Sequence, residues 1–140
     1  MAKKGVERIG VSLPPDLLGR FDEFINTKGY KTRSKAIADL VREALTQEEW
    51  ENANEEVMGI LSLVYDHHTR DLTGKLNEIQ HEHIHNVISS THVHMDEHKC
   101  LEILILRGPA NLVRKLGENL ISTRGVLHGK IISTTTGKKL

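Results

Sequence analysis

The chain has 140 residues, 38% of them hydrophobic, and its nineteen Lys/Arg balance nineteen Asp/Glu. That length suits one medium domain or two small ones. A single cysteine excludes an intramolecular disulfide framework and fits a reducing compartment, and no run nears the ~20 apolar residues of a membrane span, so the expectation is a soluble cytoplasmic protein with no membrane partner.

The neutral total hides a segregation. Residues 1–45 carry nine Lys/Arg against six Asp/Glu, residues 46–100 three against eleven, and residues 101–140 seven against two. A basic front suits a polyanion; an acidic middle suits a cation. From Glu7 to Leu13, Ile9, Val11 and Leu13 alternate with Arg8, Gly10 and Ser12, which predicts a short strand. Pro14 and Pro15 suit a helix start, Leu17, Phe21, Phe24 and Ile25 form an apolar stripe, and Gly29 is a natural stop. A second helix comes next, capped by Thr32 or Ser34, with Ile37, Leu40, Val41, Ala44 and Leu45 as its expected buried face. The polar stretch Thr46–Glu56 extends that helix or serves as a linker.

Strand–helix–helix in about 45 residues is too small to bury a core alone, and its strand has no neighbour. Two copies solve both problems by pairing Glu7–Leu13 antiparallel over interlocked helices. The ribbon then presents Arg8, Gly10 and Ser12 outward, twice. This is the plan of ribbon-helix-helix DNA binders, whose ribbon enters the major groove of double-stranded operator DNA. The plainer reading is a dimerisation arm with a solvated outer face.

Beyond residue 50 the rhythm changes. Strands are expected at 57–66, 85–95, 99–108 and 126–136, with helices at 67–81 (Leu72, Leu76 and Ile79 inward) and 109–125 (Leu112, Val113, Leu116 and Leu120 inward). The order βαββαβ is the ferredoxin-like arrangement. The fold class is therefore α+β, with residues 1–50 as a ribbon-helix-helix DNA-binding and dimerisation domain and 51–140 as a ferredoxin-like domain. Helices on one face leave the other apolar face open, which favours oligomerisation.

Six of the nine histidines fall between 81 and 98, and the only thiol comes at 100. On a strand, residues two apart share a face, so His92 and His94 present imidazoles ~6.5–7 Å apart at Cα. After a tight turn Cys100 returns toward them. Two nitrogens and a thiolate form a metal-ligand set, with His81, His83 and His85 as candidates for a fourth donor, from the same chain or a neighbour. Residue types leave zinc and nickel both open. His67 and His68 are candidate auxiliary ligands, and Glu97 and His98 are placed to tune the site from outside it.

Together the segments "RIGVSLPPDLL", "GYKTRSKAIADLVREAL", "VYDHHTRDL", "QHEHIH…THVHMDEHKCLEILILRG" and "TRGVLHGK" resemble the nickel-responsive transcriptional regulator family over roughly residues 7–135. The spacing of His81, His92, His94 and Cys100 is the specific part. The resemblance implies an ACT-type regulatory domain at 51–140 and a homotetramer, a dimer of dimers. It implies one Ni(II) per subunit, bound square-planar by His92, His94 and Cys100 with His81 of a neighbour, and strengthening repression of nickel uptake genes. Arg8 and Ser12 fall at the family's base-reading positions, with Gly10 at the third, where a side chain is common. Arg33, Arg70, Lys3 and Lys4 are candidate phosphate contacts, though Thr69 stands beside Arg70 where a second basic residue is frequent. The family holds an additional cation at positions matching 35 and 39; here Asp39 is present but the other is Lys35. Competing readings are a regulator sensing zinc or an amino-acid-like effector, and a zinc hydrolase with Glu97 as base.

Overall fold

The structure is a computed structural model and describes residues 5–140. The chain divides into two compact units between Val41 and Arg42. In the first, α1 (Pro15–Thr27) opens with a proline where no backbone donor is needed. It ends as the chain turns through Gly29, whose φ of +80° favours a residue without a side chain. Helix α2 (Arg33–Glu51) starts where the Thr32 hydroxyl accepts the Lys35 N–H at 3.2 Å, and it crosses the division.

Two expectations for this region need correction. Residues 6–14 contain no helix or strand, so Glu7–Leu13 is not a strand within the single chain. A lone segment has no ladder partner for its backbone groups. Ile25 and Ala36 are buried, but Leu17, Phe24, Leu40, Val41 and Leu45 are exposed. The α2 face expected inside is thus largely uncovered, with only Ile37 half-buried.

In the second unit β1 (Glu56–Asp66), α3 (Leu72–Glu82), β2 (Val87–His94), β3 (Lys99–Pro109), α4 (Ala110–Ser122) and β4 (Val126–Thr134) run in the βαββαβ order. The sheet is antiparallel with strand order β2-β3-β1-β4. Helix α3 begins at Leu72 rather than at 67 because residues 67–71 are spent on turns. Thr69 N–H bonds Asp66 O at 3.0 Å, and Asp71 takes a left-handed φ of 62°.

Alternation decides the packing. Val57, Leu61, Leu63 and Tyr65 of β1 and Cys100, Leu104 and Leu106 of β3 are fully buried, joined by Leu72, Leu76 and Ile79 of α3 and Val113, Leu116 and Leu120 of α4. Trp50, at the end of α2, enters the same core and donates from Nε1 to Thr134 O at 2.8 Å. The opposite register rows leave Ile60, Val93 and Ile132 exposed. One face is therefore core and the other open and apolar.

Helix α4 lies close on β4 at Gly129. A Cβ there would stand 2.6 Å from Ile121 Cγ1. Gly129→Ala is therefore expected to destabilise the fold by about 1–3 kcal/mol through overpacking, read as a lower urea midpoint with an unchanged slope.

Candidate metal centre

Cross-strand partners share a face of the sheet, and the register pairs His94 with Cys100, His92 with Glu102, and Tyr65 with Cys100. Tyr65, His92, His94, Cys100 and Glu102 consequently line one side, where the helix-covered face reaches the edge strand β2. Because β2 is an edge strand among the described residues, His92 and His94 are exposed while Cys100 and Glu102 are buried.

Glu102 is a carboxylate with only 1% of its surface accessible. It accepts from Tyr65 Oη at 2.8 Å, Gln80 Nε2 at 3.0 Å and Ser90 Oγ at 2.9 Å. Burial alone would push its pKa up; those hydrogen bonds and the charge of His92 outweigh burial and hold it below the usual carboxylate range. Burial, and then the bond to Glu102, push the Tyr65 phenol far up.

This network sets the state of His92. Its Nε2 lies 3.2 Å from Glu102 Oε1 and 3.3 Å from Tyr65 Oη. The single phenolic proton of Tyr65 already goes to Glu102, so both neighbours of Nε2 are acceptors. Nε2 is therefore placed to donate, and in the neutral ring that arrangement leaves the Nδ1 lone pair for a metal. A carboxylate behind a ligating imidazole is the usual orienting arrangement.

Cys100 Sγ is turned inward and donates to Tyr65 O at 3.5 Å. Burial pushes the thiol up, so coordination must release its proton. The His94 ring stands edge-on to that of His67, with centroids 5.3 Å apart. His81, in the last turn of α3, is exposed and joins none of these contacts among the described residues. His83 Nδ1 is tied to Ile79 O at 3.0 Å, and His85 is exposed.

The donor set on this face, two imidazoles and a thiol with a carboxylate behind one of them, fits a borderline transition-metal ion. Its ligand atoms are not gathered into a tight trio, however. Among the described residues, the trio found within 4.8 Å is Asp66, His68 and His98, at the end of β1 and the hairpin turn.

Elsewhere, Asp39 accepts from Tyr30 Oη at 3.0 Å and pairs with Lys35 Nζ, so an ammonium already stands where an added cation would need its carboxylate. Arg33 is held by Asp22 through two bonds of 2.8 and 2.7 Å. Arg8, Gly10, Ser12 and Arg70 are exposed; Lys3 and Lys4 lie outside the described residues. Sequence reasoning missed Tyr65, Gln80, Ser90 and Glu102. Glu102 had a signal: it shares the alternating row of Cys100, Leu104 and Leu106, where a charge is out of place. Glu97, expected to tune the site, makes none of these contacts among the described residues, whereas Glu102 lies beside His92.

The fold and donor set define a small α+β metal-binding protein. Residues 58–134 match the family model of the NikR C-terminal nickel-binding domain. Curated relatives carrying the name "Putative nickel-responsive regulator" are similar over nearly the full length. Those of Nitratidesulfovibrio vulgaris and Geobacter sulfurreducens are each 53% identical over 133 residues, covering 95% of this chain and 96% of the relative. That of Pyrococcus furiosus is 44% identical over 136 residues, covering 97% and 99%. The chain belongs to the nickel-responsive regulator family, and is a regulator rather than an enzyme. An uncharacterized protein of Thermotoga maritima, 19% identical with a TM-score of 0.50, covers 56% of this chain and 96% of its own and shares the fold alone. Among the described residues no helix is long and apolar enough to cross a membrane.

Proposed function

We propose that the chain is a cytoplasmic nickel-responsive repressor of nickel uptake genes that binds operator DNA as a homotetramer. Ni(II), one per subunit, is held by His92, His94 and Cys100 with His81 of a second copy. The observation that carries the reading is the shared face of His92, His94 and Cys100 at the sheet edge, with the Glu102 carboxylate beside His92 Nε2 and Nδ1 turned to the other side of the ring. The exposure of His81 agrees with a role toward another copy.

The ribbon-helix-helix assignment of residues 1–50 draws on a different observation. Ile9, Val11 and Leu13 are exposed beside alternating Arg8, Gly10 and Ser12, and Leu17 and Phe24 of α1 and Leu40, Val41 and Leu45 of α2 are exposed as well. Pairing two copies buries these apolar groups and turns Arg8 and Ser12 toward base edges. The open face of the ACT-type domain at 51–140, with Ile60, Val93 and Ile132, supplies the second interface. Nickel supplies a bridge between subunits, and a ligand shifts a conformational balance only by its differential affinity for the two states.

A gel shift with operator DNA tests this: added Ni(II) is expected to tighten binding, and a titration giving identical affinity with and without nickel would defeat it. Arg8→Ala is expected to cost about 1–3 kcal/mol of discrimination between operator and random DNA, measured by competition at fixed salt. Equal competition curves for parent and variant would remove Arg8 from base reading.

A further inference from the structure

We propose that Asp66, His68 and His98 form a second binding site, distinct from the four nickel donors, for a borderline divalent metal ion such as Zn(II). The three offer ligand atoms within 4.8 Å of one another, from the end of β1 and from the turn joining β2 to β3. His68 Nδ1 lies 3.3 Å from His98 Nδ1 and 3.6 Å from Asp66 Oδ1. Two nitrogens at ~2.0–2.1 Å from a tetrahedral ion are roughly 3.3–3.4 Å apart. The imidazole pair is therefore already at the spacing an ion requires.

The backbone keeps it there. His68 N–H donates to Asp66 Oδ1 at 2.9 Å, fixing the turn after β1. Asp96 Oδ1 accepts from His98 N–H at 2.8 Å and Lys99 N–H at 2.7 Å, fixing the hairpin turn. His67 N–H then donates to His98 O at 3.1 Å and ties the two turns together. His67 packs its ring 4.2 Å from that of His68, and its own Nδ1 is buried without a hydrogen-bond partner among the described residues. Little reorganisation separates this arrangement from a chelate.

The donor types choose the ligand. Two neutral imidazoles and one carboxylate suit Zn(II), Ni(II) or Cu(II), whereas Mg(II) and Ca(II) prefer oxygen-only surroundings. His68 and His98 are exposed, so solvent completes the coordination. An ion here would cross-link the end of β1 to the turn from which Cys100 departs, without sharing a donor with the first site.

The test uses the full chain with His92→Ala and Cys100→Ala, which disables the first site, and Zn(II) alone as probe. Equilibrium dialysis is expected to find one ion bound per chain. Adding His98→Ala or, separately, His68→Ala is expected to weaken it by at least roughly tenfold, while His85→Ala on the same background leaves it unchanged. His68, His85 and His98 are exposed, so the circular dichroism melting curves of the added variants should coincide with that of the starting variant. Zinc binding that His98→Ala and His68→Ala leave intact, or no binding in the starting variant, overturns the second site. Neither outcome touches the nickel reading, which fails separately if Cys100→Ala alone keeps its nickel response.

Discussion

Cys100→Ala is expected to fold and bind DNA yet lose its response to nickel. Coupling between two ligands of a regulator is typically about 1–3 kcal/mol, or roughly 5–150-fold in affinity; the parent should show a nickel effect in that range and the variant none. The thiolate is the one donor that gives nickel a sulfur charge-transfer absorption, so that band should vanish with it. The substitution removes a sulfur from a buried position facing Tyr65 O, so a melting curve must show the variant folded at the assay temperature. A variant that keeps both the band and the DNA response would show that the thiol is core packing and no ligand.

Much of the second unit was legible because period-two alternation and helical stripes there coincide with burial. Leu72, Leu76 and Ile79, and Val113, Leu116 and Leu120, were readable as inward-facing and are buried. The strand order agrees with the βαββαβ pattern. The α3 start was misread because His67 to Asp71 carry no breaker, and the turn depends on Asp66 accepting the His68 N–H. The same periodicity failed along α2. Leu40, Val41 and Leu45 keep a core-like spacing yet are exposed in one chain, since a pattern records that a face wants covering and not which molecule covers it. At the site, the register of His92, His94 and Cys100 was readable from spacing, but the inward turn of the thiol was not. His68 was readable as a candidate auxiliary ligand, but its grouping with Asp66 and His98 was not: His98 lies thirty residues after His68, and the two meet because β1 and β3 run side by side, with Asp66 paired to Lys99.

Glu102 is expected to matter to stability and to metal binding in separable ways. Its removal in Glu102→Ala leaves Tyr65, Gln80 and Ser90 without their shared acceptor in a buried site. Breaking such a charged, hydrogen-bonded cluster costs about 3–5 kcal/mol, seen as a large drop in the unfolding midpoint. Glu102→Gln preserves the shape and one acceptor oxygen, so it should fold with a smaller loss. Its amide nitrogen would meet donors, however, and the acceptor that keeps the His92 proton on Nε2 is weakened. Loss of an orienting group behind a ligating imidazole lowers metal affinity by roughly 10–100-fold. Glu102→Gln should therefore bind Ni(II) that much more weakly in a chelator competition while remaining folded. If its affinity equals the parent's, the carboxylate only holds the sheet to α3, and the tautomer of His92 is set by something other than Glu102.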